Sequence, residues 1–331
     1  MRQPNHTLSS PARAPNAGKT LAQRVAHPDT PVPPGQGLLA RVTFGEPPAD
    51  TAPCDFPCAL LPVLPADACE DWLLPAADAE VGSHGPVRWS RVGGFVFAQV
   101  SAPLPTGADA SAVTRDIYLE LLRFQAAGEH PHLLRFWNFV PHINSGVGDE
   151  ETYKRFCAGR LHAFREMAVT EAHFPAASAV GHAGSELVVQ MLASDIPGEH
   201  HGNNKQVHAF EYPRQYGIAS PSFARATSVD CGRRRLLFVS GTASIVGHAT
   251  RFPHQLQGQL EVTIDNVSHL LEQTGTRADQ MACMRVYLRN PADRASVAQA
   301  LDAAFPAAQK NYVQADICRS DLLFEVECFC R

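Results

Sequence analysis

The sequence predicts an α+β protein in which one module is used twice, each copy with helices packed on one face of a mixed β-sheet. Two observations carry the prediction. Amphipathic stretches with helical spacing alternate with short apolar runs of strand length. The order helix, glycine, strand, helix, closing strand then occurs twice along the 331 residues. In the first copy, Val113 to Ala127 reads as a helix with Ile117, Leu121 and Phe124 on one face, stopping at Gly128. Leu133 to Val140 follows as a strand, Glu150 to Met167 as a helix and Glu186 to Ala193 as the closing strand. In the second copy, Leu256 to Thr274 carries Leu256, Leu260, Ile264, Val267 and Leu271 on one helix face and ends at Gly275. Met281 to Leu288 is its strand, Asp293 to Ala304 its second helix and Leu322 to Phe329 its closing strand.

Ahead of these, Leu38 to Phe44 alternates like a first strand, Trp72-Leu73-Leu74 is an apolar knot, and Trp89 to Val100 reads as strand with Gly93-Gly94 as a turn or bulge. Residues 1–37, rich in Pro, Ala, Ser and Arg, read as a flexible tail; Arg2, Arg13, Lys19 and Arg24 precede the first acid, Asp29. An N-terminal domain over 38–198 and a C-terminal domain over 206–331 follow, with a linker at about 194–206 where Gly, His and Asn accumulate.

Composition narrows the function. Hydrophobic residues make up 45% and charged residues 18%, the balance of a globular chain with a core. A net charge of −5 argues against a generic nucleic-acid binder. No apolar run reaches the length of a membrane span. Nine cysteines without a CxxC pair, and no secretory signal pattern, point to reduced thiols in a cytoplasm. Fifteen histidines invite a metal, but the densest cluster, Glu199-His200-His201, is flanked by Gly198, Gly202, Asn203 and Asn204 and reads as a solvated loop.

Candidate chemistry sits in the second copy. Leu236 to Val239 reads as a buried strand that stops at Ser240-Gly241-Thr242-Ala243-Ser244, small residues suited to the floor of a pocket. On the closing strand, Glu325-Val326-Glu327-Cys328, alternation puts both glutamates on one face and Phe324, Val326 and Cys328 on the other. If that face is a pocket, burial would raise a carboxyl pKa and yield a general acid. Arg160, Arg225 and Arg319 are either surface ion-pair residues or a clamp for a dianion. Tyr212 and Tyr216 either pack at a strand edge or stack on and bond to a polar ligand. Trp137 and Asn138 read as core.

Six segments in order resemble the chorismatase family: Arg135 to Asn144, Phe156 to Arg160, Tyr212 to Tyr216, Ser220 to Arg225, Ser240 to His248 and Glu325 to Cys328. The resemblance runs from about residue 90 to the end. The second half is also similar to the RidA/YjgF imine-deaminase fold, so both modules are expected to be RidA/YjgF-like, the C-terminal one catalytic. The resemblance implies cleavage of the enolpyruvyl ether of chorismate to pyruvate, with no metal or organic cofactor. Protonation of the vinyl ether by Glu327 would give an oxocarbenium ion. Arg160, Tyr212, Tyr216, Arg225 and Arg319 would hold the substrate, with Thr242 and Ala243 as the floor. Cys328 suits a hydroxybenzoate-forming member and Ala243 a hydrolytic one; 3-hydroxybenzoate is the expected product, with 4-hydroxybenzoate as a side product. A bulge or twist would be needed to bring Cys328 round to the ligand. The alternatives are a hydrolytic chorismatase giving 3,4-dihydroxycyclohexa-1,5-dienoate and a RidA-like imine hydrolase. The duplication is compatible with a monomer that replaces part of a trimer, or with a trimer.

Overall fold

The computed structural model describes residues 20–45, 52–58, 60–62, 68–75, 78–232 and 234–331. Residues 1–19 of the expected tail lie outside the described residues. The rest of that tail is partly strand. Strand β1 (Ala22–Ala26) joins β2 (Gly37–Phe44), β3 (Asp55–Cys58) and, after β4 (Leu61–Pro62), β5 (Cys69–Leu74). The four make a sheet in the order β1-β5-β2-β3, from which β4 is absent. Polar pairs specify β1. Arg24 lies directly opposite Asp71 and bonds to it at 2.8 Å, and Gln23 donates to Glu70 at 2.8 Å. Hydrophobic periodicity carries no trace of such pairs.

The first module contains β6 (Glu80–His84), β7 (Val87–Val92), β8 (Phe95–Pro103), α1 (Ala110–Ala127), β9 (His132–Pro141), α2 (Thr152–Glu166), β10 (Ala176–His182) and β11 (Glu186–Ser194). Asp109 caps α1 by accepting from the Ser111 and Ala112 amides. The second module contains β12 (Gly198–His201), β13 (Ala226–Asp230), β14 (Arg235–Thr242), β15 (Ile245–Val246), β16 (Ala249–Thr250), α3 (Leu256–Gln273), β17 (Met281–Leu288), α4 (Arg294–Ala304), β18 (Gln309–Gln314), β19 (Asp316–Ile317) and β20 (Phe324–Cys330).

The duplication is real. One seven-stranded sheet runs β19-β10-β9-β11-β8-β7-β6 and the other β12-β13-β14-β20-β17-β18-β4. The central order β10-β9-β11-β8-β7 repeats as β18-β17-β20-β14-β13. In both copies the strands joined through the second helix are parallel. Those joining strands, β10 and β18, are the ones the sequence conceals. Ala176-Ala177-Ser178-Ala179 is too small, and Gln309-Lys310-Asn311 too polar, to read as strand. Strands from elsewhere close both sheets: β19 of the second module pairs with β10 of the first, and β4 of the N-terminal segment pairs with β18. The expected loop at Glu199-His200-His201 is instead edge strand β12, paired with β13. His200 and His201 each meet a β13 hydroxyl, Thr227 at 3.0 Å and Ser228 at 2.8 Å.

Outer sheet faces carry the helices: Phe136 and Val140 face α1 and α2, and Phe324, Val326 and Cys328 face α3 and α4. Inner faces meet each other and the four-stranded sheet. At their junction Trp72 of β5 stands 5.6 Å from Trp137, 5.2 Å from Phe329 and 6.1 Å from Phe238, ring centre to ring centre. The apolar knot therefore joins all three sheets. Full burial of each such ring is worth on the order of 2–3 kcal/mol. No helix among the described residues is long and apolar enough to cross a membrane.

Candidate active site

Between the modules lies a cavity of about 350 Å³. Helix α2 supplies Tyr153 and Arg160, and β10 supplies Ala177 to Ala179. The segment between β12 and β13 supplies Tyr212, Tyr216, Phe223 and Arg225; β14 and its turn supply Gly241 and Ala243. The chain from Cys318 to Asp321, and Glu325 of β20, complete the wall.

Local sequence places each charge. A Cβ on Gly159 would stand 2.2 Å from the Ser111 carbonyl oxygen, so the glycine lets α2 press on α1. Beside it Arg160 is 2% exposed, with Nε and Nη2 unpartnered among the described residues. Arg225, 6% exposed, donates through Nη2 to the Tyr212 hydroxyl at 2.8 Å and leaves Nε unpartnered. The Arg319 guanidinium lies 4.1 Å from the centre of the Tyr216 ring and donates to Thr250 Oγ1 at 3.2 Å. None of these three arginines is ion-paired among the described residues. Buried, unpaired guanidinium donors are costly unless a ligand engages them, which favours the dianion clamp over surface ion pairing. Tyr212 and Tyr216 line the cavity rather than packing at a strand edge.

The two glutamates separate sharply. Both sit on the inner face of β20, as alternation predicts, but only Glu325 lines the cavity. Room for its carboxyl comes from Gly241, where a Cβ would fall 2.0 Å from Oε1. Burial, then the negative charge of Glu327, pushes the Glu325 pKa up to about 8; Arg135 and Arg225 oppose this. The group is a protonated acid at neutral pH.

Glu327 corrects the sequence expectation. The space beside it is about 10 Å³, one water at most. Its Oε2 accepts from Arg135 Nη2 at 2.7 Å, from the Tyr287 hydroxyl at 2.7 Å and from the Ser178 hydroxyl. Oε1 accepts from Trp137 Nε1 at 2.7 Å and pairs with Arg285 at 3.2 Å. Burial alone would raise its pKa, but Arg285, Arg135 and these hydrogen bonds outweigh burial and hold it below the usual carboxylate value. An ionised, fully engaged carboxylate has no proton to give.

Cys328 and Thr242 are corrected in the same way. Cys328 packs among the residues under α3 and α4; a register shift does lie beside it, between Val239 and Thr242 of the paired strand β14, but it leaves Cys328 on the helix side. Thr242 pairs with Val326, which packs on the helix side, and Thr242 Oγ1 donates to the Ser240 carbonyl at 2.9 Å. Ser240 and Ser244 likewise spend their hydroxyls on backbone carbonyls. The turn thus offers the cavity the bare Gly241 and Ala243, not its hydroxyls. The thiol at the cavity is Cys318, held protonated with a pKa pushed up to about 12 by burial and then by Glu325.

Sequence reading also missed Arg135, Ser178, Arg285 and Tyr287. Their polarity inside strands was the available signal, since a charge within an apolar strand needs a buried partner. Trp137 and Asn138 are core as read: Asn138 accepts from the Tyr118 hydroxyl at 2.6 Å. Trp137 additionally supports Glu327.

Comparison with known proteins agrees with this arrangement. Residues 70–193 match the family described as chorismatase FkbO/Hyg5-like, N-terminal, and residues 219–331 match the endoribonuclease L-PSP family. A 3-hydroxybenzoate synthase of Streptomyces hygroscopicus is 32% identical over 274 residues, spanning 78% of this chain and 80% of the relative. A chorismatase of Streptomyces rapamycinicus is 31% identical over 265 residues, spanning 75% and 78% respectively. A crystal structure of a chorismatase superposes with a TM-score of 0.84 at 26% identity, covering 95% of this chain and 99% of that one. By sequence and by fold alike, the chain belongs to the chorismatase family of enzymes.

Proposed function

We propose that the chain cleaves chorismate to pyruvate and 3-hydroxybenzoate, with Glu325 as general acid. The observation that carries the reading is a protonated carboxyl in a cavity with three unpaired arginines. Chorismate is a dicarboxylate whose enolpyruvyl ether reacts on protonation at the methylene carbon. Glu325 delivers that proton and forms an oxocarbenium ion. The neighbouring ring hydroxyl displaces the activated ether at the ring carbon and sheds its proton. The ring C–O electrons return to oxygen as the pyruvate carbonyl. The epoxide so formed opens at the carbon that first carried the hydroxyl, the carbon that keeps the oxygen loses its C–H proton, and the oxygen takes up a proton, which completes the phenol with no water consumed. Arg160, Arg225 and Arg319 engage the carboxylates, and Tyr212 and Tyr216 orient the substrate.

The product assignment is supported by the relative named 3-hydroxybenzoate synthase and by the lining. Phe223, Ala243, Ile245 and Cys318 give the cavity an apolar flank that offers little anchorage for an attacking water. Incubation with chorismate followed by chromatography tests both steps. Pyruvate with 3-hydroxybenzoate in equal amounts is the expected result. A dihydroxycyclohexadienoate in its place refutes the aromatising step, and unconsumed chorismate refutes the whole reading. Glu325→Gln is expected to lower turnover at least about a hundredfold, the usual contribution of a positioned acid.

A further inference from the structure

Two carboxyls two residues apart on one buried strand face do not both ionise cheaply, and their partners decide which carries the charge. Glu327 is ringed by donors from three other strands. Arg135 reaches it from β9, Ser178 from β10, and Arg285 and Tyr287 from β17. Glu325 has no hydrogen-bond partner among the described residues. The charged and titratable groups bearing on it are Glu327 on its own strand, Arg135 from β9, Arg225 from the β12–β13 segment and the Cys318 thiol.

The network extends away from the cavity. Arg285 donates through Nε to Glu70 Oε1 at 2.8 Å and through Nη2 to Glu70 Oε2 at 2.5 Å. Glu70, on β5 of the four-stranded sheet, also accepts from Gln23 at 2.8 Å and Asn311 at 2.9 Å. Charges of alternating sign thus run Glu70, Arg285, Glu327, Arg135, crossing all three sheets.

We propose that Glu327 is a positioning residue: a permanently ionised carboxylate that keeps its neighbour Glu325 protonated and ready to donate, with Glu70 orienting and balancing Arg285 behind it. The N-terminal sheet thereby tunes an acid in a cavity it does not line. This inference rests on the reading of Glu325 as the proton donor. Without the Glu327 charge, Arg135 and Arg225 act on Glu325 with no carboxylate beside it to oppose them and favour its ionised form, so its midpoint falls. Loss of the Glu70 charge acts in the same direction, more weakly, by leaving Arg285 under-neutralised.

The test is a carboxyl-carbon NMR titration of the full chain carrying ¹³C-labelled glutamate, with the Glu325 signal assigned by its absence in Glu325→Gln. The wild-type midpoint is expected near 8. Glu327→Gln should lower it by about one to three pH units, the span of a close like charge. Glu70→Gln should lower it by less, and it carries the measurement if Glu327→Gln does not fold. The basic limb of kcat/KM for chorismate should move with the midpoint, whereas a merely structural role would depress the rate at every pH and leave the limb in place. A wild-type midpoint in the ordinary carboxylate range, or an unmoved midpoint in the folded variants, overturns the inference. Retained turnover in Glu325→Gln would instead refute the proton-donor reading, and the titration, made without substrate, still decides the electrostatic relation.

Discussion

A carboxyl pKa raised by burial is both a tool and a burden at Glu325. Catalysis by the protonated form requires activity to decline as pH rises through about 8, measurable as the basic limb of a pH–rate profile. The same shift acts on stability. The folded-state pKa lies above the ordinary 4.5, so the folded chain binds the extra proton between pH 4.5 and about 8. Stability therefore falls across that window and the loss is complete above it. Glu325→Gln, which cannot ionise, should be inactive yet melt higher than wild type at pH 9, with the gap shrinking toward pH 5. Gly241 offers a second test. A methyl group there would stand 2.0 Å from Glu325 Oε1 and 3.1 Å from the Ser178 Cβ, so Gly241→Ala should displace the carboxyl and lower kcat at least tenfold.

Helix α2 and the β12–β13 segment carry two of the arginines proposed to hold the substrate, and their value lies in fixed placement. Arg160 emerges next to the glycine that lets α2 and α1 touch, so its position is set by helix packing. Replacement by alanine removes charge-assisted hydrogen bonds worth about 1.5–3 kcal/mol each. Arg160→Ala should therefore reduce kcat/KM for chorismate by roughly ten- to a hundredfold per lost bond, read by steady-state kinetics. Arg160→Lys should recover only part of this, because an ammonium lacks the two-pronged geometry that matches a carboxylate.

Across the whole molecule, the three sheets are tied to one another by pairing and packing. Strand β19 of the second module pairs with β10 of the first, β4 of the N-terminal segment pairs with β18, and Trp72 and Glu70 fasten the four-stranded sheet to both large ones. Glu70→Ala would leave Arg285 under-neutralised in the interior, a loss of about 3–5 kcal/mol for a broken buried pair. Chemical denaturation should show that loss as a lower midpoint. Fragments 78–206 and 219–331, expressed apart, should fail to unfold cooperatively, since each exposes the inner face that carries the Arg135–Glu327 pair. Cooperative unfolding of either fragment alone would refute this.

Much of this molecule is local and therefore readable along the chain. Helical spacing located all four long helices to within a few residues, and Met281 to Leu288 coincides with its strand, because one-sided burial imprints a period on sequence. The repeated order of elements was legible for the same reason. Alternation also put Glu325 and Glu327 on one face. It could not choose between them, because identical residues two apart share every local property. Only tertiary structure made the choice, by aiming Arg135, Trp137 and Ser178 from another sheet at Glu327 and leaving Glu325 to the cavity. The same limit explains Cys318 over Cys328, β1 inside an apparent tail, and the small or polar strands β10 and β18. In each case the deciding partner is far away in sequence, and long-range electrostatics and packing leave no period behind.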